Sequence, residues 1–224
     1  MPPVLNVLPE TMKMCRVIVQ FDEEGRERPY DIIQSPCYHP PMRFLIASDL
    51  HGAAAPAAAI ADIFRKGSYD RLLLLGDLLY HGPRNDLPET YAPKEVISIL
   101  SGLNGSIISV RGNCEAEVDQ MVLPFPVLSE SAAVFADGWT IFMTHGHIYT
   151  PEKHPGGIDA FFSGHTHLPI LERRNGIVYL NPGSVSIPKG GNPPSYAIWD
   201  DGRIRIIELE SGRTMAELTM GTKA

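Results

Sequence analysis

Five short runs in this chain combine carboxylates, a carboxamide and imidazoles: Asp49-Leu50-His51, Gly76-Asp77, Gly112-Asn113, His145-Gly146-His147 and Gly164-His165-Thr166-His167. Each directly follows an apolar stretch of strand character. In open α/β sheets the carboxyl ends of the strands share one rim where ligands bind, so runs nearly 120 residues apart in sequence can meet in space. Taken singly, each run has an ordinary alternative. Gly-Asp after a strand commonly makes a turn, Asp-x-His can cap a helix, and a lone histidine is more often hydrogen-bonded in place than a ligand. With His147 set aside, together they place two carboxylates, one carboxamide and four imidazoles at strand ends. Nitrogen and oxygen donors without cysteine sulfur suit Mn, Fe, Zn or Co rather than a thiolate zinc site. Seven donors exceed what one ion takes from a protein, whereas two ions sharing a bridging carboxylate account for them.

The elements that must position these runs are legible in the hydrophobic pattern. From Met42 the pattern reads strand (44–47), helix (56–66, closed by Gly67), strand (72–75), helix (93–103) and strand (107–110). Short apolar runs alternating with helical segments indicate parallel strands joined by crossovers. After Val122 the texture is β-rich, with runs at 132–135, 140–143, 160–162 and 177–180 and hairpin signals at Asn175-Gly176 and Asp201-Gly202. An α/β first half and a strand-rich second half fit two facing sheets flanked by helices. The first 41 residues differ, holding seven prolines, Cys15, Cys37 and the acidic Asp22-Glu23-Glu24 cluster. They read as an N-terminal extension, either a small hairpin (16–21 with 30–33) or a weakly ordered segment, or else as the result of a start placed too early, with Met42 a sensible first residue. Residues 42–224 form the principal domain.

Composition limits the functional classes. A net charge of −7 argues against sequence-independent binding of duplex nucleic acid, which needs a cationic face. Three scattered cysteines form neither a disulfide framework nor a metal knuckle, which suits the reducing cytoplasm. No stretch approaches the ~20 apolar residues of a membrane span, and no secretory leader pattern is present.

The ordered set DxH, GD, GN, HGH, GHTH resembles the calcineurin-like metallophosphoesterase superfamily. The longer runs GDLLYHGPRNDLPETYAPKEV and NPGSVSIPKGGNPPSY resemble the bacterial YfcE-type phosphodiesterases within it. The resemblance covers Met42 to about Leu209. It implies a two-sheet β-sandwich flanked by α-helices, with Asp49, His51 and His167 on one metal and Asn113, His145 and His165 on the other. Asp77 would bridge them, and manganese is the ion it implies, with Zn, Fe or Co as alternatives. Such a pair of ions polarises phosphoryl oxygens and aligns a bridging hydroxide for in-line attack, with no protein nucleophile.

RGNCEAE, residues 111–117, departs from many members of the superfamily by carrying Cys114 where they carry a histidine. A histidine there would protonate the leaving group, while a thiol near its unperturbed pKa of about 8.5 is a weak donor. The expected activity is therefore a phosphodiesterase acting on a small-molecule diester. Alternatives are a phosphomonoesterase or protein phosphatase, and a non-catalytic interaction scaffold of the same fold. Arg84 is placed to grip a phosphate oxygen, and His81, a weaker candidate, to lend a proton. His147 is read as a hydrogen-bond support for His145, Glu115 as the start of a helix, and 181–184 as a turn on the same rim with Ser184 a minor candidate for the site. Exposed hairpins of the second half offer an interface for a homo-oligomer.

Overall fold

The computed structural model describes residues 41–221. The N-terminal segment through residue 40, with its expected hairpin, lies outside the described residues. The chain builds β1 (Arg43–Ala47), α1 (Ala54–Lys66), β2 (Arg71–Leu74), α2 (Pro93–Ser101), β3 (Ile107–Ser109) and α3 (Glu117–Val122). Then follow β4 (Ser131–Ala136), β5 (Trp139–Thr144), β6 (Ala160–Phe162), β7 (Pro169–Arg174), β8 (Ile177–Pro182), β9 (Ser195–Asp200), β10 (Arg203–Glu208) and β11 (Thr214–Thr219).

The strands form two mixed sheets, one ordered β11-β10-β9-β1-β2-β3 and the other β4-β5-β6-β8-β7. In the first, β1, β2 and β3 run parallel, as crossover through α1 and α2 requires. In the second, β5, β6 and β8 run parallel. Period-two alternation assigns the faces. Leu45, Ala47, Leu72 and Leu74 point to one side and pack with Ile60, Ala61, Val96 and Leu100 of the helices. Phe44, Ile46, Leu73 and Leu75 point to the other and pack against Ile141, Met143, Phe162, Val178 and Leu180 of the second sheet. The far face of that second sheet carries an aromatic cluster of Phe142, Phe161 and Tyr179. None of the described helices is long and apolar enough to cross a membrane.

Both expected hairpins form, with positive φ at Asn175-Gly176 and Asp201-Gly202. A third two-residue turn of the same chemistry, Asp137-Gly138, joins β4 to β5. The strands that pattern reading leaves unassigned include β11, an edge strand of alternating polar residues with no apolar run to announce it.

Trp199 on β9 pins the layers together. It is fully buried, meets Phe44 on its own sheet and Phe162 on the other, and donates its indole N–H to Asp137 Oδ2 at 3.2 Å. Trp199→Ala is expected to destabilise the domain by about 3–5 kcal/mol in urea unfolding; a loss below about 1 kcal/mol would contradict this bridging role.

Candidate metal centre

Each of the five chemistry-bearing runs leaves the carboxyl end of a strand: β1, β2, β3, β5 and β6. Backbone hydrogen bonds lace them into one rim, with Asp49 N–H donating to Gly76 O, His51 N–H to Asp77 O and Gly164 N–H to His145 O. The His165 N–H reaches across the two sheets to Asp49 Oδ2 at 3.1 Å. The backbone there is strained. Asp49, His51, Asp77, His165 and His167 all have left-handed φ, between 47° and 67°, a conformation that costs non-glycine residues of order 1–3 kcal/mol each and persists only where the surroundings over-determine it. Gly112 serves by close approach rather than by a turn conformation. It is absent from the positive-φ glycines, and a methyl at its position would collide with the Asp77 carboxylate.

The side chains converge in two sets that share carboxylates. Asp49 Oδ1 lies 3.2 Å from His167 Nε2 and 3.6 Å from His51 Nε2, and the two Nε2 atoms are themselves 3.2 Å apart. His145 Nε2 lies 3.2 Å from Asn113 Oδ1 and 3.4 Å from Asp77 Oδ2, which is also 3.7 Å from His51 Nε2. Asp77 thus stands between the sets. His165 is less tightly gathered: its ring centroid is 5.1 Å from that of His145, and it joins none of the groups whose donor atoms lie within 4.8 Å of one another.

The imidazole orientations show what these atoms want. Nδ1–H of His51 donates to the Tyr80 carbonyl at 2.8 Å, that of His145 to Leu75 at 2.7 Å, and that of His167 to Ile187 at 2.5 Å. Carbonyl oxygens only accept, so each Nδ1 carries its proton and each Nε2 turns inward towards other imidazoles and carboxylates. Asp49 Oδ1 is buried without a hydrogen-bond partner among the described residues. Facing lone pairs and the orphaned Asp49 oxygen fit cations between them, and nitrogen and oxygen donors fit divalent transition ions.

Without metal, protons take that place. Burial opposes charging of His145, but its hydrogen bond to Asp77 and the Asp49 charge raise it to about 9. Burial is likewise overcome at His51 by Asp49 and the Tyr80 carbonyl, which raise its pKa. Burial alone would raise Asp49 and Asp77; the His167 and His51 imidazoles beside the first, and His145 beside the second, hold both below the usual carboxylate range. His147 and His165 are pushed down by burial and by His145.

An open cavity of about 410 Å³ lies over these groups, lined by His51, Asp77, Asn113, Cys114 and His165 and rimmed by Arg84 and Lys189. Cys114 N–H donates to Asp77 Oδ1 at 2.9 Å, and its Sγ shares a group within 4.8 Å with His51 and Asp77. Burial and the Asp77 carboxylate push its thiol up, so it stays protonated.

Several supporting readings are corrected by the structure. Glu115 does not begin a helix; α3 starts at Glu117, and the Glu115 side chain is buried. Its carboxylate accepts the backbone N–H groups of Asp77 at 2.9 Å, Leu78 at 2.7 Å and Gly112, clamping the loop of Asp77 to that of Asn113. Burial and Asp77 raise it to about 7 against those three donors. No sequence signal could reveal this, because the acceptor and two of its donors are 37 and 38 residues apart. His147 makes no hydrogen bond to His145, whose Nδ1 is held by Leu75 instead, and His147 Nδ1 is buried without a partner among the described residues. His81 packs edge-on against Tyr80 and Tyr91 and does not line the cavity. Residues 181 and 182 complete β8 rather than forming a turn. Ser184 is buried, and it and Ser186 donate their hydroxyls to the Asp49 carbonyl, both at 2.8 Å, holding that strained residue. Asn181 Nδ2 donates to the Gly164 carbonyl at 2.6 Å, steadying the GHTH loop.

Removing the clamp should loosen both metal sets together. Glu115→Ala is expected to weaken Mn²⁺ binding by about 10–100-fold in calorimetric titration, and unaltered affinity would remove Glu115 from this role. The raised His145 pKa makes a second prediction. A group raised from 6.5 to about 9 contributes stability that is whole below 6.5 and lost as pH rises through 9. The Tm of chelator-treated protein should therefore fall across that interval, and a flat or rising profile would contradict the arrangement.

Comparison with known proteins agrees with this geometry. Residues 42–201 match the calcineurin-like phosphoesterase superfamily domain. The chain is 42% identical to phosphodiesterase YfcE of Escherichia coli K12 over 181 residues, covering 80% of this chain and 98% of that protein. The solved structure of YfcE superposes with a TM-score of 0.79 at 42% identity, over 80% of this chain and all of that one. Vps29 of Cryptosporidium parvum shares the fold at 19% identity, with a TM-score of 0.59 over 81% of this chain and 100% of that one. The chain belongs to the calcineurin-like phosphoesterase superfamily.

Proposed function

We propose that this chain is a metal-dependent phosphodiesterase acting on a small phosphodiester, as its relative YfcE is named. The observation that carries the reading is the pair of donor sets sharing carboxylates on the floor of an open cavity, with a protonated thiol where a proton-donating imidazole would stand. Asp49, His51 and His167 would hold one ion and Asn113, His145 and His165 the other, with Asp77 between them. The ions, manganese by preference, would supply Lewis acidity and an activated water for in-line displacement.

The chain's own groups orient and exclude. Leu75, Tyr80 and Ile187 carbonyls aim the imidazoles, and Glu115 and Ser184 keep the strained carboxylate-bearing loops in place. Arg84 at the rim offers a forked pair of N–H donors to the oxygens of the scissile phosphate. Cys114, held against Asp77, gives the leaving oxygen little proton. Diesters with stable leaving groups are therefore favoured over monoesters whose alkoxide must be protonated. The reducing cytoplasm suits a chain that uses this cysteine as a thiol.

Turnover of bis(4-nitrophenyl) phosphate with added Mn²⁺ tests the reading. Asp77→Asn should lower kcat/KM by at least about 100-fold. Cys114→His should raise the monoester-to-diester ratio of kcat/KM by about tenfold or more. Absence of diester hydrolysis with bound manganese would overturn the enzyme reading, and an unchanged ratio would overturn the role of Cys114.

A further inference from the structure

The cavity has a second cation that the phosphodiesterase reading leaves unused. Beside the donor groups, its lining includes Gly82–Asn85, which carries Arg84, and a strap that carries Lys189 beside Thr166 and His167. Among the described residues no ion pair engages Arg84 or Lys189, as for Arg71, Lys94, Arg111, Lys153, Arg173 and Arg205 elsewhere, but these two line the cavity.

Lys189 is placed by a built strap rather than by a loose loop. Its N–H donates to the carbonyl of His167 at 3.2 Å, two residues after Ile187 has taken the His167 Nδ1 proton. Its own carbonyl accepts both the N–H and the side-chain Nδ2 of Asn192, at 3.2 and 2.8 Å. Gly190 and Gly191 follow with φ of 64° and 72°, and a methyl on Gly190 would meet Leu168 Cδ2 at 2.8 Å. The strap that orients a metal ligand therefore also fixes where the lysine leaves the backbone. The residue is exposed at the cavity while its backbone is held.

A simple phosphodiester carries one negative charge. With two divalent ions bound against Asp49 and Asp77 the floor would already be net positive, and Arg84 would suffice for the non-bridging oxygens. A further unpaired ammonium raises the local charge beyond what that substrate neutralises, inside a protein that is acidic as a whole. We propose that Lys189 forms a second anion subsite, so that the substrate is a phosphodiester bearing another anionic group, phosphate or carboxylate, close to the scissile bond. This rests on the phosphodiesterase reading for the position of the scissile phosphate.

Two probes with the same leaving group separate the subsite from the chemistry: methyl 4-nitrophenyl phosphate, and its 2-phosphonoethyl analogue, which adds an anion. With Mn²⁺ the wild-type chain should prefer the phosphonoethyl ester in kcat/KM by about tenfold, as for a charge-assisted contact. Lys189→Ala should bring that ratio near one, Lys189→Glu should take it lower still, and Lys189→Arg should restore most of it. A ratio unmoved by Lys189→Ala and Lys189→Glu overturns the subsite, even if both rates fall. Calorimetric titration of the full-length Asp77→Asn chain with each ester reads binding apart from turnover. Tighter binding of the phosphonoethyl ester that disappears on adding Lys189→Ala, in a chain whose wild type hydrolyses neither ester, would overturn the diesterase reading and leave the subsite standing. Turnover of both esters without preference would do the reverse.

Discussion

Three imidazole Nε2 atoms turned inward onto two buried carboxylates is the constraint around which this molecule is organised. His51, His145 and His167 give their Nδ1 protons to backbone carbonyls of Tyr80, Leu75 and Ile187, and so present their second nitrogens to each other and to Asp49 and Asp77. Such an arrangement is repulsive unless cations occupy it. Without metal, a proton on His145 facing Asp77 would meet the need in part, in keeping with the raising of His145 to about 9. Divalent ions meet it fully, because each relieves several donors at once.

The rest of the fold makes that repulsion tolerable. Five metal-facing residues hold left-handed backbone, and an isolated loop would relax out of it. What prevents relaxation is a set of hydrogen bonds aimed at those residues. Glu115 takes three amide protons from the loops of Asp77 and Gly112, while Ser184 and Ser186 both hold the Asp49 carbonyl. These supports come from β3, β8 and the strap beyond it, so both sheets must be assembled before the centre has its geometry. Burial of Trp199 between the sheets and formation of the metal centre are thereby parts of one cooperative structure.

Charge completes the design. The chain is acidic overall, yet Arg84 and Lys189, which no ion pair engages among the described residues, line the cavity over the donor sets. Cys114 sits within reach of that same space as a thiol whose proton is hard to remove. Under the proposed reading, attraction of an anion and weak proton donation to its leaving group would together select among phosphate esters, one by binding and the other by chemistry.

Much of this was legible in sequence because it is local. Apolar runs of period two, helices at alternating intervals, Asn-Gly and Asp-Gly turns, and ligand residues placed just after strands are properties of neighbouring residues; they place the donors at strand ends and accommodate two facing sheets, which the resemblance specified. Resemblance supplied the partition of those donors between two ions. What stayed hidden depends on contacts between distant segments. Glu115 looks like any acidic residue near a helix start until the loop of Asp77 closes over it, and Ser184 looks like a turn residue until β8 lies beside β6. His147 and His81 carry the right chemical type, but backbone geometry assigns the His145 proton to Leu75 and packs His81 against two tyrosines. The sequence by itself determined which atoms can bind a cation, since donor type is covalent; the tertiary structure decided which of them converge and what holds them, since orientation arises only where two sheets bring separate loops within hydrogen-bonding distance.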